Sequence, residues 1–182
     1  MPIAQPREIL DFWFAAGRDK WFATDPSFDS EIRKRFGDTH MVACDGKLDD
    51  WMKDAQSALA LVIVLDQFSR NLHRDDHHAW SNDERALRVA REAIRRRFDV
   101  EVPITARQWF YLPYMHAEDM AAQRESLHLH ATRLDDPESL RFAEMHADIV
   151  KRFGRFPHRN ATLGRESTPE EQSFLAEGGF AG

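Results

Sequence analysis

ALALVIVLDQFSR, residues 58–70, decides the fold because it contains the longest apolar run of the chain and then ends in charged and polar side chains. The helix that we predict over Asp54–Arg70 is apolar almost all round, and such a helix belongs in the middle of a domain. The eight-residue run Ala58–Leu65 is too short to cross the roughly 30 Å of hydrocarbon in a bilayer. The sequence therefore predicts a buried central helix and not a membrane span.

Further helix signals lie on both sides of this segment. Apolar residues recur at helical spacing, and Asp-Pro, Thr-Pro and glycine mark starts and stops. We predict helices from Pro6 to Gly17, Pro26 to about Cys44, Ser81 to Arg97, Thr105 to Leu112 with a kink or restart at Pro113, His116 to Leu134, Pro137 to Gly154, and Pro169 to Gly178. No stretch shows convincing period-two alternation. The sequence predicts one all-α domain over residues 1–182, with seven or eight helices arranged as antiparallel neighbours.

Composition narrows the class of function. The 182 residues are 42% apolar and 31% charged, which is typical of a globular protein. A formal charge of −6 disfavours binding to nucleic acid, since such binding depends on many cationic contacts to phosphates. The lone cysteine, Cys44, excludes an internal disulfide. No segment resembles a signal peptide. We therefore expect a cytoplasmic protein without a membrane partner. Motifs for nucleotide P-loops, dinucleotide-binding folds and α/β-hydrolases are absent, and we expect no cofactor.

The polar end of the central helix is the first candidate site. Asp66 and Arg70 stand four residues apart and continue the buried stripe of the helix, with Gln67 and Asn71 beside them. One interpretation is an internal ion pair that closes the helix end. The other is the floor of a pocket in which Asp66 accepts hydrogen bonds and Arg70 grips a ligand.

The stretch RQWFYLPYMHAED, residues 107–119, is the second candidate. A proline kink can turn side chains into a cavity, which brings Tyr111, His116 and Glu118 into consideration. The alternative is that the aromatic residues are core and that the histidine is structural. His146 lies beside the apolar face of its helix, where it is either a buried imidazole paired with a carboxylate such as Asp66 or Glu118, or a group for binding or proton transfer.

RFGRFPHRNATLGRES, residues 152–167, gathers four arginines in an acidic chain. Arginine binds carboxylates and phosphates with two parallel hydrogen bonds, so this segment is a candidate anion site. Alternatively, the arginines pair with acidic side chains of the protein and fasten the tail to the domain. The candidate ligand-binding residues of the segment are Arg155, His158, Arg159, Asn160 and Arg165.

Histidine pairs are the remaining chemical signal. His77-His78 and His128-x-His130 supply metal-binding side chains, but H-E-x-x-H is absent, and residues two apart do not share a helix face. We therefore expect no dedicated metal site.

Several motifs together resemble one known family. They are ILDFWF, KWF, FDSEIRKRF, GKLDDW, LALVIVLDQFSRN, RQWFYLPYMHAED and RFGRFPHRNATLGRESTPEEQSFL. This ordered set spans nearly the whole chain and is similar to the bacterial family DUF924. The resemblance implies an all-helical, tetratricopeptide-like right-handed superhelix, and it implies no established activity. The family usually has DQFPRN where this chain has DQFSRN, so Ser69 replaces a proline and is expected to soften the helix end.

Three functions remain open. The first, which we prefer, is binding of a small anionic molecule or an acidic peptide terminus, with Arg70, Arg155, Arg159 and Asn160 as donors. The second is a hydrolase-type or proton-transferring enzyme in which Asp66, His116, Glu118, His146 or His158 supplies acid and base. The third is a scaffold that binds a protein partner along stacked helix pairs.

Overall fold

The computed structural model describes residues 3–74 and 76–180, and all regular structure in these ranges is helical. This confirms the all-α class for the described residues. The α-helices are α1 (Pro6–Ala16), α2 (Arg18–Trp21), α3 (Pro26–Cys44), α4 (Ala55–Ile63), α5 (Ser69–Leu72), α6 (Asp83–Arg95), α7 (Phe98–Glu101), α8 (Ile104–Met115), α9 (Met120–Arg133), α10 (Pro137–Phe153) and α11 (Pro169–Ala176). A π-helical turn, Val64–Phe68, joins α4 to α5, and 3-10 turns cover Asp49–Lys53, His77–Ala79 and Pro157–Arg159.

The predicted count of seven or eight helices is too low, since the described ranges contain eleven α-helices. The difference comes from α2, α5 and α7, which have four residues each. A single turn is too short to show a helical repeat in the sequence, so these helices carry no periodic signal.

Two predicted helix starts are wrong. The N-cap of α8 is Pro103, not Thr105, and the helix continues through Pro113 to Met115 without a restart. Helix α9 starts at Met120 rather than at His116, because the side chain of Asp119 accepts the backbone N–H groups of Ala121 and Ala122 and so fixes the first turn. The residues from His116 to Asp119 therefore form a connection between α8 and α9.

Helix α4 lies in the centre of the core, as its composition predicts. Every residue from Ala58 to Leu65 is at most 1% exposed. Helices α1, α6 and α8 pack around α4, and an aromatic group formed by Trp13, Phe68 and Trp109 fills the space beside it. No helix in the described ranges is long and apolar enough to span a bilayer.

The described segment after α10 folds back over the bundle. Helix α10 stops at Gly154, whose φ of 71° is a left-handed conformation that glycine adopts without steric cost. The 3-10 turn Pro157–Arg159 and α11 follow, and Phe156 packs with Ile149 and Val150 in a small second apolar cluster. This return brings the arginine-rich segment to the polar end of the central helix.

Candidate functional site

The polar end of the central helix carries a network of charged side chains that we call the Asp66 cluster. Its members are Asp66, Arg70, Asp83, His116 and Arg159. Asp66 lies in the π turn that follows α4 and is only 1% exposed. A π turn contains one more residue per turn than an α-helix and is frequent at functional sites. The turn thus places a carboxylate inside the core at the point where the bundle changes from apolar to polar.

Three neighbours satisfy the carboxylate of Asp66. Gln67 Nε2 donates to its Oδ2 at 2.5 Å, and His116 Nδ1 lies 2.8 Å from its Oδ1. Arg70 Nη1 lies 3.2 Å from the same Oδ1 and also donates to the Asp66 carbonyl oxygen at 2.7 Å. A buried carboxylate is tolerated only with such partners.

Electrostatics keep this carboxylate charged. Burial alone would raise the pKa of Asp66, but the charge of Arg70 and the hydrogen bonds from His116 and Gln67 outweigh it, and the pKa falls well below its usual range. Burial lowers the pKa of His116, and the guanidinium of Arg70 lowers it further. At neutral pH the arrangement is thus an aspartate that orients a neutral imidazole.

Asp83, at the start of α6, joins the central helix to the returning tail. Arg70 Nη2 donates to both of its oxygens, at 3.0 and 3.2 Å, and Arg159 Nη1 donates to Oδ2 at 3.1 Å. Arg159 Nη2 also donates to the carbonyl oxygen of His116 at 3.1 Å. One carboxylate is therefore shared by two arginines from distant parts of the chain.

Arg159 is the most enclosed cation of the cluster, with a relative exposure of 6%. Its guanidinium carbon lies 4.6 Å from the ring centre of Phe156 and 5.5 Å from that of Trp80. Burial lowers the pKa of Arg159 to about 10 despite the attraction of Asp83. The Nε–H group has no hydrogen-bond partner, although it is buried.

Two more histidines lie next to the cluster. The ring centre of His146 is 6.3 Å from that of His116, and the ring of Phe180 covers both His146 (4.6 Å) and His158 (5.3 Å). Burial, with smaller contributions from neighbouring histidines and Arg159, lowers the pKa of His146 to about 3 and that of His158 to about 4. Both imidazoles are therefore neutral at pH 7, and His158 Nδ1 is buried without a partner.

Other arginines of the tail form ion pairs away from the cluster. Arg165 grips Glu118 with hydrogen bonds of 2.6 and 2.9 Å, and Arg155 grips Glu171 at 2.6 and 2.8 Å. Asn160, which is fully buried, donates to Ser167 and to Glu171. We call this set of contacts the tail clamp, and it matches the fastening interpretation of the arginine-rich segment.

Glu118 belongs to the tail clamp and not to the Asp66 cluster. Its Oε1 accepts the backbone N–H of Phe156 at 2.8 Å, and both of its oxygens accept from Arg165. Although burial opposes the charged form, these hydrogen bonds lower the pKa of Glu118. A carboxylate engaged in this way holds the tail in position.

Two predicted site residues lie in other networks. The side chain of Asn71 donates to Asp29 at 2.7 Å. The hydroxyl of Tyr111 donates to Asp99 at 2.8 Å, and Asp99 in turn pairs with Arg133.

The predicted residues that lie together at or beside the Asp66 cluster are Asp66, Gln67, Arg70, His116, His146, His158 and Arg159.

Sequence reasoning missed Asp83 and Trp80. Asp83 occupies the first turn of α6, where an acidic residue is ordinary because it complements the helix dipole. Its partners are 13 and 76 residues away in sequence, and no local pattern indicates such pairs. Trp80 follows a polar loop and shows no periodicity that would place it against Arg159.

A groove of about 580 Å³ adjoins this region. It runs between α10 and the segment 174–180 and is lined by Arg141, Glu144, Met145, Asp148, Ile149, Arg152, Phe153, Phe174, Gly178, Gly179 and Phe180. Phe180 lines the groove and also covers the two histidines. Phe180 is therefore shared by the groove and by the histidines beside the Asp66 cluster.

Fold and site together define an all-α protein in which a π turn and a returning C-terminal segment enclose a buried aspartate, a neutral histidine and two arginines. The chain belongs to DUF924, a family of bacterial proteins of unknown function, whose model matches residues 9–179. It is also similar to a protein of unknown function from Agrobacterium tumefaciens. The two are 48% identical over 94% of this chain and 97% of that one, with a TM-score of 0.91. A comparison with curated proteins gave no match.

Proposed function

We propose that the protein binds a small anionic molecule, with a carboxylate or phosphate group, at the Asp66 cluster. The observation that carries this proposal is that Arg159 Nε and His158 Nδ1, on consecutive residues, are both buried without a partner. A buried polar group without a partner costs about 1 to 3 kcal/mol, more if it is charged. A ligand oxygen beside Arg159 would relieve that cost.

The surroundings of Arg159 favour an anion. Phe156 and Trp80 flank the guanidinium and shield it from water, which strengthens its interaction with an oxyanion. Asp83 already accepts from Arg70 Nη2 and Arg159 Nη1. The ligand would therefore bind through the free Nε–H of Arg159 and would not replace Asp83.

The charge balance predicts how binding depends on pH. Within the cluster Asp66 and Asp83 offset Arg70 and Arg159, and the adjacent histidines are neutral at pH 7 because burial lowers the pKa values of His146 and His158. An added anion raises the pKa values of nearby imidazoles. By linkage, the ligand would bind with proton uptake and more tightly as the pH is lowered.

A hydrolase-type enzyme is the second candidate, and the contact between His116 and Asp66 favours it. Hydrogen bonding of Nδ1 to a carboxylate fixes the ring and leaves Nε2 to take a proton from water or a substrate. In that case His116 would be the general base, Asp66 its orienting group and Arg159 the anion-binding group. His146 would be a second acid–base candidate, since its Nδ1 is held 2.8 Å from the carbonyl oxygen of Phe142.

The tetratricopeptide-like superhelix is also a proposal. Successive packing of α8 on α9 and of α9 on α10 supports it. A protein partner is a further proposal, for which the groove beside α10 is the candidate surface. A cytoplasmic location stays a prediction from the sequence.

A thermal-shift screen with phosphate and small carboxylates tests anion binding. We expect an active compound to raise the melting temperature of the native chain, since a ligand at a hundred times its Kd adds about 2.7 kcal/mol of stability. Arg159→Lys keeps the charge but removes Nε–H, so it should abolish the shift. The matched control is Arg152→Lys, because Arg152 is exposed and forms a surface ion pair with Glu170.

The outcomes separate the candidates. If no compound stabilises the native chain and Arg159→Met lowers stability by about 3 to 5 kcal/mol, the arginine is a structural cation and the proposal is wrong. If a hydrolase panel finds turnover that His116→Gln abolishes at unchanged melting temperature, the enzyme hypothesis is correct. Turnover that survives this substitution would contradict the assigned role of His116.

A further inference from the structure

Four of the nine histidines form a row outside the Asp66 cluster. The row runs from His40 in α3 through His73 at the end of α5 to His78 and His77 in the following 3-10 turn. Successive ring centres are 5.7, 5.4 and 3.9 Å apart. None of these side chains takes part in the Asp66 cluster.

Asp76 contacts both histidines at the exposed end of the row. It caps the 3-10 turn by accepting the backbone N–H of His78 at 2.8 Å. Its Oδ1 lies 2.5 Å from His78 Nδ1 and 3.2 Å from His77 Nδ1. One ligand atom from each of these residues lies within 4.8 Å of the other two, and among the described residues this is where three metal-binding side chains come so close.

His73 is the next histidine of the row after this group. It is the C-cap residue of α5, and its ring centre lies 5.4 Å from that of His78. It is therefore placed to supply a fourth ligand atom.

We propose that Asp76, His77 and His78 bind a divalent transition-metal ion of the zinc class, with His73 as a fourth ligand. Imidazole with a carboxylate suits Zn²⁺, Co²⁺ and Ni²⁺, whereas Mg²⁺ and Ca²⁺ prefer oxygen ligands. Tetrahedral bonds of roughly 2.0 to 2.2 Å place ligand atoms about 3.4 Å apart. Asp76, His77 and His78 have side-chain exposures of 50, 57 and 55%, so their rings are free to rotate to that spacing.

The other end of the row plays a different part. His40 is buried, and its Nε2 lies 2.8 Å from the hydroxyl of Ser69 and 3.5 Å from Cys44 Sγ. Burial raises the pKa of the Cys44 thiol, so the sulfur stays protonated and is a poor ligand. His40 and Cys44 thus lie behind His73 and are not ligands of the proposed ion.

The proposed metal site lies next to the proposed anion site but shares no residue with it. The 3-10 turn His77–Ala79 ends at Trp80, whose ring contacts Arg159 in the Asp66 cluster. Because the two sites have no ligand in common, metal binding is measurable without an anionic ligand.

The test is zinc binding by the full chain after removal of metal with a chelator. We expect isothermal titration to give one equivalent of Zn²⁺ per chain, and Co²⁺ to give the visible absorption of a four-coordinate site. The double variant His77→Ala/His78→Ala should weaken Zn²⁺ binding by about tenfold or more. The matched control is His128→Ala, because His128 is an exposed histidine on α9.

Three results would overturn the proposal. They are the absence of Zn²⁺ binding, equal binding by the double variant and the native chain, and several weak equivalents that His128→Ala reduces as much as the double variant does. The substituted side chains are exposed, so the variants should fold, and a far-UV circular dichroism spectrum checks this. The anion site is untouched by these changes, so a failure here leaves the Arg159 test intact.

Discussion

Single side chains show how charge is accommodated in this interior. Asp66 is charged and almost completely buried because Gln67, Arg70 and His116 all face it. The sequence predicted the pair of Asp66 with Arg70 from their spacing alone. It did not predict the partner of His146, which is the carbonyl oxygen of Phe142 one turn earlier and not Asp66 or Glu118. A carbonyl is available on every residue, so no side-chain pattern indicates it.

The buried histidine makes stability dependent on pH. His146 has a folded-state pKa of about 3, mainly because of burial, while an ordinary histidine has a pKa of about 6.5. Between these values the unfolded chain binds more protons than the folded chain does. The free energy of unfolding must therefore fall as the pH is lowered from neutrality towards 3, and at pH 5 this histidine alone accounts for about 2 kcal/mol.

We predict that His146→Gln reduces this loss. Glutamine does not titrate, so the fall in unfolding free energy between pH 7 and pH 5 should be about 2 kcal/mol smaller than in the native chain. Urea denaturation at the two pH values measures it. His128→Gln, at an exposed position on α9, should behave like the native chain. An unchanged pH dependence in His146→Gln would show that the imidazole is not kept neutral by burial.

Among the helices, capping signals were the most reliable predictors. Asp25, Asp136 and Thr168 cap α3, α10 and α11 through their side chains, as residue type and the following proline indicated. The π turn between α4 and α5 had no such signal, because a π turn and an α-turn differ only in which carbonyl each N–H group selects. The hydroxyl of Ser69 donates to the carbonyl of Leu65 at 2.6 Å, and the helical path continues past Ser69 to Leu72.

Helix α11 is held by one carboxylate, and we predict that Glu171→Gln loosens it. Glu171 is 2% exposed, accepts from both Arg155 and Asn160, and closes the capping box with Thr168. Neutralising it should lower the protection of α11 amides against hydrogen exchange by about tenfold.

The neighbouring Glu170→Gln is the control for this prediction. Glu170 pairs with Arg152 at the surface, and exposed ion pairs contribute little. Exchange in α11 should therefore hardly change in Glu170→Gln. Equal effects of the two substitutions would mean that burial of the Glu171 carboxylate is not what holds the helix.

Phe156 contacts three separate parts of the fold. This residue is fully buried, its N–H donates to Glu118, its carbonyl accepts from Arg165, and its ring lies against Arg159 and His146. It therefore links the second apolar cluster, the tail clamp and the Asp66 cluster. Its partner Glu118 is 38 residues away in sequence, so no local pattern indicates this contact.

We predict that Phe156→Ala lowers the free energy of unfolding by about 3 to 5 kcal/mol. The loss should appear as a single transition, with the same midpoint by tryptophan fluorescence and by far-UV circular dichroism, because the tail shares its contacts with the core. Phe22→Ala is the control, since the ring of Phe22 is 58% exposed. Two separated transitions in Phe156→Ala would show that the tail folds as an independent unit.

The all-α class and the ion pair between Asp66 and Arg70 could be predicted, because they depend on composition and local spacing. The site could be predicted only in part, since it depends on which carboxylate meets which arginine across the chain. Any of 31 acidic residues could have paired with Arg159, and only the folded backbone selects Asp83. The tail returns over the polar end of the central helix and supplies Arg159 to the cluster.

The π turn has a consequence for how this protein can diverge. Insertion or deletion of one residue in the segment Val64–Phe68 would interconvert a π turn and an α-turn, and would rotate the side chains that follow by about 100°. The apolar half of the central helix would stay in place, while Arg70 would point elsewhere. Insertion or deletion of a single codon here would thus change which side chains form the Asp66 cluster in a descendant protein, while the helical architecture is inherited intact.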